Sequence, residues 1–385
     1  MVPRGSLVVV NLQGGAVQVG WLNSARWLPY LVLGLVVGAL VDRARRRPLM
    51  VATDVTRAVL LTSIPLAWAL ELLTFPLLLI IVVVFGAVSL VNDAASMSFV
   101  PRLVPRPQLQ RAHARLDGAD AVAQTAGPAV AGALIRIIGA PLSVLVDAVT
   151  YLFSAVMVAT LRTVPEPPLT SSARLSTRRL AAEIGEGGRW VYGGSGLRRL
   201  AVSTHVWFAA QAVLVVVMAP YAYLQLRLSP FQLGLVFATA GVGALIGATV
   251  STAIGHRLGT GGAIICSYAV SSVGVVIMLS AGHLPTVWAA FVALALGQLC
   301  HGWAMGVSNS HEMSYRQALT PDGLQARTNT TMRSLNRAVL VMVSPLAGLA
   351  AARLGFGPAL IGCAAIFGSA AMILVLSPFR RARVD

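Results

Sequence analysis

The sequence has no lysine, only three cysteines and few charges of either sign. Charged residues make up 11% of the 385 residues, whereas hydrophobic residues make up 57%. About a quarter of a typical soluble domain is charged, so this composition excludes an ordinary soluble protein. Lipid is the solvent that tolerates so much apolar surface, and a chain within lipid must form helices or a closed barrel.

Motifs for enzyme chemistry are also missing. The sequence has no hydrolase triad, HExxH motif, phosphate-binding glycine loop or nucleotide-binding domain, and Cys266, Cys300 and Cys363 occur singly in apolar runs. We therefore expect no enzyme, no metal and no cofactor, which leaves an ion gradient as the source of energy. The net charge of +16 does not indicate nucleic acid, because the arginines are spread along the chain and form no single patch.

The apolar residues form long unbroken runs, which favour helices over a barrel. A membrane-spanning helix needs roughly 20 apolar residues. The sequence predicts an all-α membrane protein with eleven spans, near residues 21–41, 49–70, 75–96, 117–138, 141–162, 200–223, 232–254, 262–281, 286–308, 331–353 and 357–377.

The arginines lie in alternate gaps between these runs. One set of gaps, with the adjoining span ends and the C-terminal tail, holds 23 arginines, whereas the opposite gaps and span ends hold only Arg136, Arg227 and Arg353. Positive loops stay in the cytoplasm, so the C-terminus is predicted to be cytoplasmic. With eleven spans the N-terminus would be outside.

Weak internal similarity indicates a parallel duplication of two six-helix bundles. Gln18-Val19-Gly20 matches Gln232-Leu233-Gly234, and Gly127-Pro128 matches Ser344-Pro345 at a similar offset. The span at 200–223 lacks a full partner, so residues 1–10 are expected to be the end of a largely missing first span. The alternative is a genuine eleven-span protein.

The expected organisation follows from this repeat. Residues 1–163 form an N-terminal bundle of five complete spans and a stub, and 164–199 form a cytoplasmic linker with an amphipathic stretch near 178–192. Residues 200–379 form a six-helix bundle, and 380–385 form a basic tail.

The loop after the first complete span carries Gly38, Asp42 and an arginine run from Arg43 to Arg47. It resembles the signature loop of the major facilitator superfamily, although Arg45 stands where a second glycine is common. The resemblance implies that Gly38, Asp42, Arg43 and Arg47, together with Asp93, latch the two halves. The residue-based alternative is a plain positive loop at the anionic leaflet.

Further segments resemble the drug-exporter branch of that superfamily, which includes macrolide, tetracycline-like and siderophore exporters. They are Asn92-Asp93-Ala94, Leu103-Val104-Pro105, Asp147-Ala148 and Thr320-Pro321-Asp322. Gly127, Pro128 and Gly132 partly match the helix-packing motif of its antiporters. The resemblance implies a monomer in the bacterial inner membrane that exports small amphipathic compounds.

Ionisable residues inside spans are costly and often functional. Asp120 beside Asp117, Asp147 and Glu312 are candidates for proton coupling, with helix packing as the alternative for Asp147. Glu312 could also be a solvated loop charge or a partner of Arg333 or Arg337. Asp54 and Arg57, three residues apart, are expected to pair with each other.

Polar and aromatic residues in the spans are candidates for a substrate cavity, although a lone histidine often serves packing. These candidates are Trp27, Tyr30, His205, Trp207, Gln211, Gln298 and His301. The leading hypothesis is a proton-coupled exporter that works by alternating access. The alternatives are a truncated non-functional remnant, and an uptake permease or lipid flippase on the same fold.

Overall fold

The computed structural model describes residues 14–41, 44–103, 108–161, 177–194 and 196–383. These residues form helices that we number in chain order. They are α1 (Ala16–Val41), α2 (Arg46–Ala69), α3 (Phe75–Leu103), α4 (Leu109–Ile138), α5 (Ala140–Thr160), α6 (Thr177–Tyr192), α7 (Arg198–Pro220), α8 (Pro230–Ser280), α9 (Val287–Leu319), α10 (Gln325–Leu354) and α11 (Phe356–Val375).

Eight of the described helical segments are long and apolar enough to cross a membrane. One of them, Pro230–His283, has 54 residues, more than twice the roughly 20 that a span needs. It is divided at Gly259, which has φ +71° and ψ 168° inside the otherwise helical α8. Residues with a side chain rarely adopt that backbone conformation. This glycine therefore makes a sharp break between residues 232–254 and 262–281. The count of eleven spans stays a prediction.

Several helices continue beyond their apolar runs on the arginine-rich side. The run at 286–308 belongs to a helix that ends at Leu319, and the run at 331–353 belongs to one that begins at Gln325. Hydropathy marks only the part of a helix that lies in hydrocarbon. The polar turns of these helices therefore lie beyond the predicted boundaries.

The buried apolar side chains form two main clusters. One is built from α1 to α5 and includes Phe85, and the other is built mainly from α7 to α11 and includes Phe367. Large apolar side chains such as Trp288 and Leu346 are more than 60% exposed on the outer surface. Such a surface suits a hydrocarbon solvent.

The two clusters meet where α1 packs on α10 and α4 packs on α8. Small residues allow the close approach: a Cβ on Gly132 would lie 2.6 Å from the carbonyl oxygen of Pro230, and one on Gly20 would lie 2.5 Å from that of Ser344. Pro128, in the predicted packing motif, approaches Gly234 through its carbonyl oxygen, whereas a Cβ on Gly127 would meet no atom of the described neighbouring elements within 4 Å. The contacts of Gly20 and Gly132 lie toward the side opposite the arginine-rich loops.

Helix α6 covers the amphipathic stretch predicted near 178–192. It packs on α7 and α10, where Glu186 forms an ion pair with Arg327. Tyr192 shares a hydrogen bond of 2.5 Å with Nε2 of His205, whose Nδ1 lies 2.6 Å from Asn336. The helix is therefore joined to the second bundle through side chains at its end.

Candidate functional site

A cavity of about 370 Å³ lies between α1, α7, α9 and α10, where the two halves face each other. It combines aromatic, amide and ionisable side chains, as small-molecule sites commonly do. The lining residues are Asn23, Arg26, Trp27, Thr204, Trp207, Phe208, Gln211, Val215, Met305, Ser308, Asn309, Glu312 and Leu340.

Glu312 is the acidic residue of this lining. Tyr268 donates a hydrogen bond of 2.8 Å to its Oε1, and Thr204 donates one of 3.3 Å to its Oε2. The carboxylate forms no ion pair with any described residue, including Arg333 and Arg337. Hydroxyl groups hold it in place, and Arg316, one turn further along α9, interacts with it electrostatically without forming an ion pair.

On the α1 side of the cavity, guanidinium groups pack against aromatic rings in the lining and behind it. The Arg26 guanidinium lies 5.1 Å from the ring centre of Trp27, and that of Arg337 lies 5.7 Å from it. Arg337 also lies 4.5 Å from the ring of Tyr30. These distances are in the range of cation–π contacts, so the arginines are held against the rings.

On the α7 side, Trp207 is stacked among other rings. Its ring lies 5.2 Å from Phe208 and 5.9 Å from His301, the latter nearly parallel at 13°. Gln211, one turn further along α7, has a buried Oε1 with no hydrogen-bond partner in the described structure. A buried acceptor without a hydrogen bond costs free energy. The Gln211 oxygen could accept a hydrogen bond from a molecule in the cavity.

The predicted cavity residues separate into two groups. Trp27, Trp207 and Gln211 line the cavity, whereas Tyr30, His205, Gln298 and His301 lie outside its lining. Gln298 and His301 are 4% and 3% exposed and face α8, where they contact Met278 and Ser271. His301 therefore supports the ring of Trp207 from behind.

Sequence reasoning missed several lining residues, of which Arg26 and Thr204 matter most. Arg26 carried a usable signal, because an arginine inside an apolar run is a functional candidate by default. Thr204 and Asn309 carried none, since single hydroxyl and amide side chains are common in helices.

The predicted latch is only partly within the described structure. Gly38 lies in α1, whereas Asp42 and Arg43 fall outside the described residues. Arg47 donates hydrogen bonds to the carbonyl oxygens of Val158, at 3.2 Å, and Ala159. It thereby satisfies the last carbonyls of α5.

Asp93 accepts a hydrogen bond of 2.7 Å from the hydroxyl of Tyr30. This contact joins α3 to the aromatic group of α1 that packs against Arg337. A latching role for this residue stays a prediction.

The other acidic candidates are Asp147 and Asp120, and Asp147 lies outside the cavity lining. Asp147 is half-buried in α5, and the side chain of Asp120 in α4 is outside the described structure. Their proposed coupling roles stay predictions. In the part of the chain that the structure covers, no three His, Cys, Asp or Glu residues are grouped so that they could hold a metal ion.

Asp54 and Arg57 form the expected ion pair. Ser154 donates a hydrogen bond of 2.8 Å to Oδ2 of Asp54, and Asn92 donates one of 3.4 Å to Oδ1. The Arg57 guanidinium lies 4.4 Å from the ring of Tyr151. This polar cluster joins α2, α3 and α5 away from the central cavity.

A helical membrane protein with a polar and aromatic cavity between two bundles has the architecture of a membrane transporter. The chain belongs to the major facilitator superfamily, because residues 4–384 match the superfamily's family model described as "Transmembrane secretion effector". It is therefore a transporter of the major facilitator type.

Two curated relatives support this assignment. The chain is 24% identical over 334 residues to the MFS-type transporter y4rN of Sinorhizobium fredii, covering 86% of this chain and 79% of that protein. It is 25% identical over 144 residues to the MFS-type transporter YvqJ of Bacillus subtilis. That second match spans 37% of this chain and only 34% of the relative.

Solved structures share the fold at low identity. A bacterial homologue of the iron transporter ferroportin, in an inward-facing state, has a TM-score of 0.74 at 19% identity, over 99% of this chain and 93% of that one. A D-xylose–proton symporter has a TM-score of 0.72 at 14% identity, over 100% and 93% of the two chains.

Proposed function

We propose that this transporter is a secondary active exporter of small amphipathic compounds, driven by exchange for protons across the bacterial inner membrane. Substrate and proton would compete for the central cavity, and each would favour a different state of the two halves. Only such a difference in affinity between states can drive alternating access.

Glu312 is the observation that carries the proposal. Its carboxylate faces the cavity, is held by Tyr268 and Thr204, and forms no ion pair among the described residues. Arg316, one turn further along α9, interacts with it electrostatically, so protonation would remove a cavity charge without breaking an ion pair. Of the two coupling candidates whose side chains the structure describes, Glu312 and Asp147, it is the one that lines the cavity.

The cavity chemistry supports an amphipathic substrate with a hydrogen-bond donor or a positive charge. Trp27, Trp207 and Phe208 offer ring surface for an apolar body. The unpaired Oε1 of Gln211 and the carboxylate of Glu312 would accept from its polar end. Arg26, held against Trp27, would disfavour a second positive charge nearby.

The proposed direction of transport rests on the family description and on the contacts between the two halves. The family description refers to secretion, and close helix contacts lie on the side opposite the arginine-rich loops. If those loops are cytoplasmic, a cavity that opens on their side would admit substrate from inside the cell.

Proton exchange can be tested in everted membrane vesicles that contain the protein. A pH-sensitive dye would report the proton gradient while ethidium, tetracycline or a macrolide is added. We expect at least one compound to dissipate the gradient. Glu312→Gln should reduce that response at least tenfold, which corresponds to a free-energy difference of about 1.4 kcal/mol.

Glu71→Gln is the matched control, because Glu71 is an exposed carboxylate in the turn between α2 and α3. It should leave the response unchanged. An undiminished response in Glu312→Gln, or a loss confined to Asp147→Asn, would rule out Glu312 as the coupling residue. Compound uptake into right-side-out vesicles, driven by the same gradient, would contradict the proposed direction of transport.

A further inference from the structure

A second, larger cavity lies at the arginine-rich end of the second bundle. It has a volume of about 800 Å³ and is bounded by the starts of α7 and the ends of α9 and α11. It is separate from the central cavity, since the two share no lining residue. None of the proposed transport steps uses it.

The charges of this cavity are all of one sign. Arg198, Arg199 and Arg381 line it, no acidic residue does so within the described chain, and none of the three forms an ion pair there. Arg198 and Arg199 are in the first turn of α7, where no acidic residue is present and the N-cap Leu197 makes no side-chain capping bond. The helix dipole adds further positive potential at this point.

The remaining lining is amphipathic. Tyr315 packs edge-on against Phe379 with ring centres 4.9 Å apart, and both side chains line the cavity. The hydroxyl of Tyr315 can donate to an oxygen, while Phe379 supplies apolar surface. A small inorganic anion would leave most of this volume unused.

The cavity is continuous with an apolar outer face. Val202 and Ile373 line it, and Val202 is 38% exposed, while Met372 of α11 and Leu376, the residue after α11, are 53% and 80% exposed. These residues lie near the end of a predicted span, where headgroups meet hydrocarbon. An anionic headgroup in the cavity could therefore place its acyl chains along α11.

We propose that this cavity binds an anionic phospholipid, with Arg198, Arg199 and Arg381 on its phosphate. Basic pockets between helices at a membrane surface recognise such headgroups. Arginine suits this role because its planar guanidinium can bind phosphate through two parallel hydrogen bonds. The bound lipid would join the start of α7 to the chain that follows α11.

Native mass spectrometry of the purified full chain in mild detergent can test this inference. Dioleoyl phosphatidylglycerol would be titrated against dioleoyl phosphatidylcholine, with and without inorganic phosphate. We expect one phosphatidylglycerol to bind more tightly than phosphatidylcholine. Changing Arg198, Arg199 and Arg381 to Gln should weaken it about fivefold each and about a hundredfold together, at about 1 kcal/mol per arginine.

Arg380→Gln is the matched control, because Arg380 lies beside Arg381 in the same 3-10 turn but does not line the cavity. It should retain the lipid. A triple Arg→Lys variant guards against loss of folding and should keep part of the affinity. Equal binding of both lipids, retention by the triple Gln variant, or displacement by millimolar phosphate would each overturn the proposal, whatever the transport assay shows.

Discussion

Asp54 in the first bundle and Glu312 in the second are both carboxylates in long helices, yet their surroundings differ in kind. Asp54 is 2% exposed and pairs with Arg57, while Ser154 and Asn92 donate to its two oxygens. Glu312 faces a cavity, receives hydrogen bonds from two hydroxyl groups and interacts electrostatically with Arg316 without forming an ion pair.

Under the proposed function, the difference separates a structural carboxylate from one that exchanges protons in the same membrane protein. If Asp54 lost its charge, the guanidinium of Arg57 would remain buried without a counter-ion, which is costly. If Glu312 lost its charge, Tyr268 and Thr204 could still form hydrogen bonds with the neutral group. We therefore expect the presence or absence of an ion pair, rather than burial alone, to separate the structural acid from the proposed functional one.

The largest expected effect comes from breaking the Asp54 pair. Asp54→Asn leaves the Arg57 charge buried, and removing one partner of such a pair costs about 3–5 kcal/mol. We expect a large drop in the free energy of unfolding, measured by SDS titration of the purified protein in mixed micelles. The measurement should show the loss without any substrate present.

A double variant provides the control for that prediction. Asp54→Asn with Arg57→Gln removes both charges, so it should be less destabilised than Asp54→Asn alone. Equal destabilisation of the single and double variants would contradict a structural ion pair, and would point instead to loss of the Ser154 and Asn92 hydrogen bonds.

The apolar runs predicted the helices well because hydrocarbon length constrains them, but their ends were less predictable. Residues 309–319 of α9 are mostly polar and lie past the predicted span at 286–308. They continue the helix, which turns Glu312 from a possible loop charge into a cavity residue. Helical structure outside the hydrocarbon leaves little trace in hydropathy.

The rotation of each helix was the part that the sequence could not provide. Gln298 and His301 are polar residues in an apolar helix, so they were natural cavity candidates. Packing against α8 instead turns them toward Met278 and Ser271. A helix surrounded by lipid, protein and a cavity has no single polar face from which its orientation can be read.

The hydroxyl partners of the two carboxylates should contribute unequally to the free energy of unfolding, and by less than the Asp54 pair does. Ser154 lies 2.8 Å from Oδ2 of Asp54, whereas Thr204 lies 3.3 Å from Oε2 of Glu312. A hydrogen bond to a charged group contributes about 1.5–3 kcal/mol, so Ser154→Ala should cost an amount in this range. Thr204→Val should cost less, because its bond is longer and faces the cavity.

Both variants can be compared by the same SDS titration, with Ser369→Ala as a control on the background cost of removing a hydroxyl. Ser369 is exposed and bonds only to a carbonyl of its own helix. If Thr204→Val proved as damaging as Ser154→Ala, the Glu312 site would be as tightly built as the Asp54 cluster. The contrast between the two carboxylates would then be lost.

The smallest change in stability is expected for Glu312→Gln. The amide keeps the shape of the side chain, its oxygen can accept from Tyr268, and no ion pair among the described residues is broken. The free energy of unfolding should change by less than about 1 kcal/mol, within the range of an ordinary hydrogen bond. A loss close to that of Asp54→Asn would instead make Glu312 a structural residue, and impaired transport in the same variant would then reflect misfolding rather than loss of proton exchange.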